Sequence, residues 1–418
     1  PAKAKRVIYL FQNGGPSQVD LFDPKPELPR RDGEKPGEGY VNDVDAKKTG
    51  TWLASPFKFH RHGQSGMELS ELLPELGKHA DEIAVIRSMV SEHENHEQAC
   101  CHMHTGSPVA GRPTIGAWTA YGLGTVNQNL PAYVAILNPG GLPVDGARNW
   151  SSGWMPPVYQ GMPVRATDGT PILNLESKTP PAAADARLKL LQSLNREHFR
   201  TRQDNLELEA RIANFELAAR MQLAATDALD LNKENETTKA LYGMDRPETA
   251  VYGRQLLMAR RLTERGVRFV QVMMAGQPWD THSNNSNQLR SLCKATDLPV
   301  HGLLTDLRQR GLLDETLVIW TGEFGRTPFA EGKDGRDHHK RGFSLWVAGG
   351  GVKGGVTHGA TDEFGYRSVK DVVTVAYFHA TVLHLLGLRF DRLSFHHDTR
   401  DELLTDVHPA KVVREIIA

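Results

Sequence analysis

The sequence predicts an α/β protein, a mainly parallel β-sheet flanked by helices and carrying a loop-and-helix insertion. Three observations predict it. Apolar runs of strand length end repeatedly in polar loops containing Gly or Pro. Amphipathic helical patterns stand between those runs, the arrangement of βαβ units. Across 418 residues the chain is 39% hydrophobic, enough to cover both faces of such a sheet.

Taken in order, RVIYLFQNGGPS (6–17) is a short β-type run that breaks at Gly-Gly-Pro, as a first strand delivering the chain to a loop. RFVQVMMAGQPWDTH (268–282) and ETLVIWTGEFGRTP (315–328) repeat the design, and FSLWVAGGGVKGG (343–355) ends in glycines. The patterns at 248–266, 298–314 and 371–388 read as helices with a buried face. Residues 18–66 and 137–181 are rich in Pro and Gly and break the alternation. Residues 182–225 are charged, amphipathic and long enough for two helices. The expected organisation is one domain over 1–418, with 137–247 as an insertion or cap. Parallel sheets bind ligands beyond the carboxyl ends of their strands, which directs attention to loops 12–23, 276–285, 322–328 and 335–342.

Composition excludes several classes. With 49 Lys+Arg against 50 Asp+Glu the net charge is −1, which does not suit a nucleic-acid partner. No apolar stretch is long enough for a membrane span. Three cysteines, two of them adjacent (Cys100, Cys101), cannot build a disulfide framework. The 18 histidines are the feature to follow. The motifs G-x-S-x-G, G-x-x-x-x-G-K-[ST] and H-E-x-x-H are absent, so serine-hydrolase, P-loop and zincin readings lack support.

Four histidines, His93, His96, His102 and His104, crowd SEHENHEQACCHMHTG (91–106). Imidazole is the commonest metal ligand and the usual acid/base group at neutral pH. His96 is the first choice for a catalytic role because it follows Asn95 at an apparent helix start; the rest of the cluster has the competing reading of helix packing and capping. In WDTH (279–282), Asp280 and His282 are two residues apart after a strand, so that in an extended loop both side chains point the same way and can converge on one cation; the competing reading is an Asx-type turn. Glu323 stands just beyond the run TLVIW, where a carboxylate suits a divalent ion, and Arg326 three residues on suits an anionic oxygen of substrate; the competing reading is a Glu–Arg surface pair. GRDHHKRG (335–342) offers His338 or His339 as one ligand, with Asp337 as its orienter or a second ligand. Asp20, beyond the first strand, either completes a metal site or caps its loop. His379 and His384 sit in an apolar helix and read as core histidines. Carboxylates and imidazoles on successive sheet-end loops are what metal-assisted hydrolysis of an oxyanion ester requires.

These residues resemble the alkaline-phosphatase superfamily, and more closely a bacterial sulfatase-like family of unknown function whose members often carry twin-arginine leaders. The resemblance spans nearly the whole chain, through YLFQNGGPSQVDLFDPKPEL (9–28), IAVIRSM (83–89), NHEQACCHMHTG (95–106), GRPTIGAW (111–118), LPAYVAI (130–136), NWSSGW (149–154), ARRLTERGVRFVQV (259–272), WDTH, TLVIWTGEFGRTP (316–328), GRDHH (335–339), GATDEFGY (359–366) and HATVLHLLGL (379–388). It implies an alkaline-phosphatase-like fold. Thr105-Gly106 matches the Thr-Gly closing the nucleophile helix. Asp280 and His282 match an Asp…His metal pair, Glu323 falls at the next acidic ligand and His338 at a later His. The departures are specific. His96 stands where a sulfatase would carry the Cys or Ser matured to formylglycine, Phe324 replaces the His or Asn expected after Glu323, and Asn13 stands near the usual first-strand Asp.

The expectation is a metal-dependent hydrolase of sulfate esters, of a sulfated polysaccharide or related glycan, that does not use formylglycine. The rivals are a phosphatase or phosphodiesterase of the same superfamily and a non-catalytic descendant that binds anionic glycans. Asp280, His282 and His338 would hold one divalent cation, with Glu323, His96 or Asp20 completing the set. His96 would be nucleophile or base, beside Asn95, and Arg326 would grip an oxyanion oxygen. Such donors favour Zn²⁺, with Mn²⁺ or Ca²⁺ behind it. The partner is an anionic small-molecule or glycan ester. A chain opening at Pro1 fits removal of a leader and a periplasmic or secreted protein, or simple trimming.

Overall fold

The computed structural model describes residues 2–42, 45–167, 171–172, 179–202 and 206–418. The mainly parallel sheet flanked by helices is the architecture the chain adopts. Its strands, in chain order, are β1 (Arg6–Phe11), β2 (Ile83–Val90), β3 (Tyr133–Leu137), β4 (Met162–Arg165), β5 (Phe269–Met273), β6 (Thr316–Thr321), β7 (Phe343–Ala348), β8 (Val356–His358) and β9 (Val373–Thr374). They lie side by side as β8-β2-β7-β6-β1-β5-β3-β4, with β9 also on β2. The helices that matter below are α1 (His96–Thr105), α2 (Ile115–Leu123), α3 (Pro181–Arg200), α4 (Leu206–Leu229), α5 (Ala250–Glu264), α6 (Asn285–Gln309) and α7 (Val375–Leu385).

The central strands read as continuous apolar runs because both faces of the sheet are covered. Along β1, Ile8 and Leu10 pack with Leu256 and Leu257 of α5 and Leu303 of α6. Val7, Tyr9 and Phe11 face the other way, onto Met103 of α1, Trp118 of α2 and Phe378 of α7. The period-2 alternation of a strand thus feeds two separate cores.

The sheet departs from uniform parallel order at β7, which runs antiparallel to both β2 and β6. The other pairings, β1 with β5 and β6, β5 with β3, β3 with β4, and β8 and β9 with β2, are parallel. This reversal positions the site. A parallel strand delivers its carboxyl end to the ligand-binding edge, whereas β7 brings the segment before it, residues 338–342, to that same edge.

Residues 137–247 are not wholly outside the sheet, since β4 within them forms its edge strand. The charged stretch at 182–225 is two helices, α3 and α4. The end of α4 is tied to α5: Arg261 Nε donates to Ala228 O at 2.9 Å, and Arg265 pairs with Asp227 at 3.0 Å. Among the described residues no helix is long and apolar enough to cross a membrane. All three cysteines are free and buried.

Candidate metal centre

Five sheet-end segments meet at one point. The loop after β1 turns through Gly14 (φ +112°), where a Cβ would lie 2.5 Å from the backbone N of Asp280, so only glycine allows this loop to approach the 279–282 segment. That segment follows β5, Glu323 follows β6, α1 starts at His96 after β2, and His338 precedes β7. At Gly335 a Cβ would stand 1.8 Å from His282 O, so the 335–339 segment lies directly against the 279–282 loop.

The hub is Asp280. Its Oδ1 lies 2.9 Å from His282 Nε2, 3.1 Å from His338 Nε2 and 3.3 Å from His96 Nε2. Arg326 Nη2 donates to the same oxygen at 2.6 Å. Each imidazole turns its other nitrogen outward to an oxygen. His96 Nδ1 meets Glu323 Oε1 at 2.6 Å, His338 Nδ1 meets Glu94 O at 2.7 Å, and His282 Nδ1 pairs with Glu331, with Asp337 Oδ1 3.6 Å away. Carbonyl and carboxylate oxygens only accept, so each Nδ1 carries a hydrogen, and each Nε2 is the atom left to meet a cation once it gives up any proton shared with Asp280. Imidazoles held this way are prepared for a metal, with an outer oxygen fixing the tautomer and ring orientation. His96, Asp280 and His338 form one group with metal-ligand spacing, and His282, Asp337 and His338 form another that shares His338. The donor set fits a divalent cation.

Electrostatics agree. Burial would lower the His96 pKa, but the Asp280 and Glu323 carboxylates outweigh it and raise the value to about 9. Burial likewise opposes ionisation of Asp280, yet His282, His338, His96 and Arg326 together hold its carboxyl far below the usual carboxylate range. His282 is raised, chiefly by Asp280. For His338 burial dominates and lowers the value. Without a cation, the His96 proton and the Arg326 guanidinium offset the charge of Asp280.

The remaining candidates have other surroundings. Glu323 is fully buried and accepts from His96 Nδ1 and from the backbone N of Gly14 at 2.9 Å, so in this structure it orients His96, while its Oε2 has no partner. Arg326 is fully buried as well. It donates to Gly15 O at 2.9 Å, Arg336 O at 3.2 Å, Gly14 O and Asp280, which makes it the clamp on Asp280; the expected contact with a substrate oxygen is not what this geometry offers. Asp20 is buried apart from the cluster, paired with Arg336 Nε at 2.7 Å and bonded to Ser17 and Asn285, so its carboxylate is committed to holding loops together rather than to a cation. Asn95 is exposed at the cap position of α1 and makes no side-chain capping bond.

The two adjacent histidines separate as alternate residues of a short strand must. His338 faces Asp280, whereas His339 stacks on Tyr366 with ring centroids 4.7 Å apart. Phe324 is buried with its ring 5.0 Å from His96 and 4.9 Å from His338, an apolar wall beside the cluster. Glu331 escaped the sequence reading. It reaches His282 because Glu331 and Gly335 bridge across the GKDG turn, and that turn is the one local hint.

The chain belongs to the family described as "Protein of unknown function (DUF1501)", matched over residues 4–417. No curated protein matches it. Solved structures similar to it include Ps i-CgsB, at 10% identity over 92% of this chain and 72% of that one, TM-score 0.42. The PsFucS1 sulfatase from Pseudoalteromonas sp. is similar at 13% identity over 96% of this chain and 72% of that one, TM-score 0.39. The alkaline phosphatase from the Antarctic bacterium TAB5 is similar at 11% identity over 92% of this chain and 99% of that one, TM-score 0.36.

Proposed function

For this member of the family we propose a metal-dependent hydrolase of an anionic ester. One observation carries the reading: three imidazole Nε2 atoms face one carboxylate oxygen while every Nδ1 is tied outward. His96, His282, His338 and Asp280 would hold the cation, and this nitrogen-rich set favours Zn²⁺ or Mn²⁺ over Ca²⁺. When bound, a divalent cation supplies Lewis acidity to the ester oxygen and promotes attack by water at neutral pH.

The chain's own residues do the rest. Arg326 fixes Asp280 and Glu323 fixes His96. Phe324 excludes water from the side of His96 and His338. Between nucleophile and ligand, the geometry favours His96 as ligand. An imidazole with a pKa of about 9 keeps its proton at neutral pH and offers no lone pair until a cation replaces that proton. A formylglycine route has no residue to start from at His96. The resemblance supports a sulfate ester of a glycan as substrate, ahead of a phosphate ester, and action in the periplasm or outside the cell.

The test is turnover of a panel of sulfate and phosphate monoesters and diesters by metal-loaded wild type and Asp280→Asn. Turnover by the wild type alone, with sulfate monoesters preferred, supports the proposal. Full metal content with no turnover of any ester overturns it in favour of a non-catalytic binder of anionic glycans.

A further inference from the structure

The metal centre is walled unevenly. Behind Asp280 stand the fully buried Arg326 and the Gly14–Gly15 turn, whose carbonyl oxygens accept from the Arg326 guanidinium. Gln277 Nε2 donates to Asp280 Oδ2 at 2.9 Å, so that oxygen is occupied while Oδ1 meets the imidazoles. Phe324 and Glu323, both fully buried, cover His96. The side chains of the four proposed ligands differ accordingly. That of His96 is 6% exposed, those of Asp280 and His338 14%, and that of His282 38%. An oxygen arriving from solvent therefore meets His282 first.

The outward tethers differ in the same sense. His96 Nδ1 is held by buried Glu323 and His338 Nδ1 by the backbone oxygen of Glu94. His282 Nδ1 is held by Glu331, 22% exposed at the edge of the 331–335 turn, with Asp337 Oδ1 as a second acceptor 3.6 Å away. His96, Asp280 and His338 have metal-ligand spacing without His282. Catalytic zinc sites keep three protein ligands and leave the fourth position for water or substrate, whereas four protein ligands fill a tetrahedral shell.

We propose that His282 is the exchangeable ligand of the centre. At rest it closes the shell; when an oxyanion ester arrives, His282 Nε2 gives up its place to an oxygen of that ester. Its Nδ1 stays tied to Glu331, and His96, Asp280 and His338 keep the cation. One cation–nitrogen bond breaks as one cation–oxygen bond forms, with no change of oxidation state. The inference rests on the metal centre proposed above and adds the side from which substrate enters it.

The experiment uses the full chain loaded with cobalt(II), inorganic phosphate as probe, and proton NMR of the imidazole signals that the cobalt shifts. Three ligating imidazoles give three shifted sets, and the set missing from His282→Ala belongs to His282. Saturating phosphate is expected to remove that set from the wild type and to leave the other two. His282→Ala should keep cobalt with an affinity within about 100-fold of wild type. It should bind phosphate about tenfold more tightly, because no ring has to leave first. If the variant fails to fold, the fall from three sets to two in the wild type decides alone. Three sets persisting with phosphate bound, loss of the His96 or His338 set instead, no effect of phosphate up to about 50 mM, or loss of cobalt from folded His282→Ala overturns the proposal. Failure of the wild type to take up cobalt or zinc overturns the metal centre itself, and this inference with it.

Discussion

Helix α1 carries histidines at both ends, and the ends behave in opposite ways. At its first residue, His96 lies between the carboxylates of Glu323 and Asp280 and its pKa rises to about 9. Two turns on, burial lowers His102 to about 3 and His104 to about 4. His104 is held by Cys100 O at 2.7 Å and by Gln271 at 2.9 Å, deep in the core. Ring type and helix are shared; what differs is whether carboxylates or apolar side chains surround the imidazole. A crowd of histidines in a sequence therefore marks a site only where sheet-end loops bring acids to it.

The comparison breaks most forcibly at Asp280. Asp280→Ala removes the oxygen the three imidazoles share and leaves Arg326 buried without its acid. It is expected to lower metal affinity by about a thousandfold or more and stability by about 3–5 kcal/mol, read from metal titration and denaturant unfolding. Metal affinity within tenfold of wild type would remove Asp280 from the centre. Glu323→Gln keeps the shape and weakens only the hold on His96 Nδ1, so metal affinity should fall by about 10–100-fold with little change in fold.

The pH dependence sharpens the comparison, because the two ends of α1 carry opposite signs. His96 has a raised folded-state pKa. In metal-free protein its stabilising contribution is complete below about 6.5 and is lost as pH rises towards about 9, a change on the order of 1–3 kcal/mol. His102 has a lowered one. Its neutral form favours the fold above about 6.5, and that stability is lost as pH falls towards 3. Melting curves of chelator-treated protein should therefore show an alkaline decline that Glu323→Gln flattens. His102→Leu should flatten the acid decline instead. Metal affinity should rise with pH as the cation displaces the His96 proton; an affinity independent of pH between about 6.5 and 9 would contradict this assignment. The smallest effect is expected of His102→Leu on metal content, namely none, with a stability change at neutral pH within about 1 kcal/mol.

Much of this arrangement is legible in the sequence. The apolar runs ending in NGGP, QPWDTH and GEFGR identify strands and their functional ends, because a strand covered on both faces has no other way to be written. The i, i+2 spacing of Asp280 and His282 indicates a shared direction, and the two atoms lie 2.9 Å apart. Other features depend on tertiary contacts that local pattern does not encode. The antiparallel direction of β7 has no mark within FSLWVA, yet it brings His338 to the site. Glu323 reads as a ligand by position, and only the 2.6 Å contact with His96 Nδ1 gives it an orienting role. Asp20 and Arg336 are 316 residues apart, and their pairing cannot be inferred from either neighbourhood.

The most direct test of the account is elemental analysis of purified protein after loading with divalent metals and removal of the excess. The account predicts about one equivalent of a transition metal in the wild type and little in His338→Ala or Asp280→Ala. Less than about 0.2 equivalents of any divalent metal in folded wild type would contradict it.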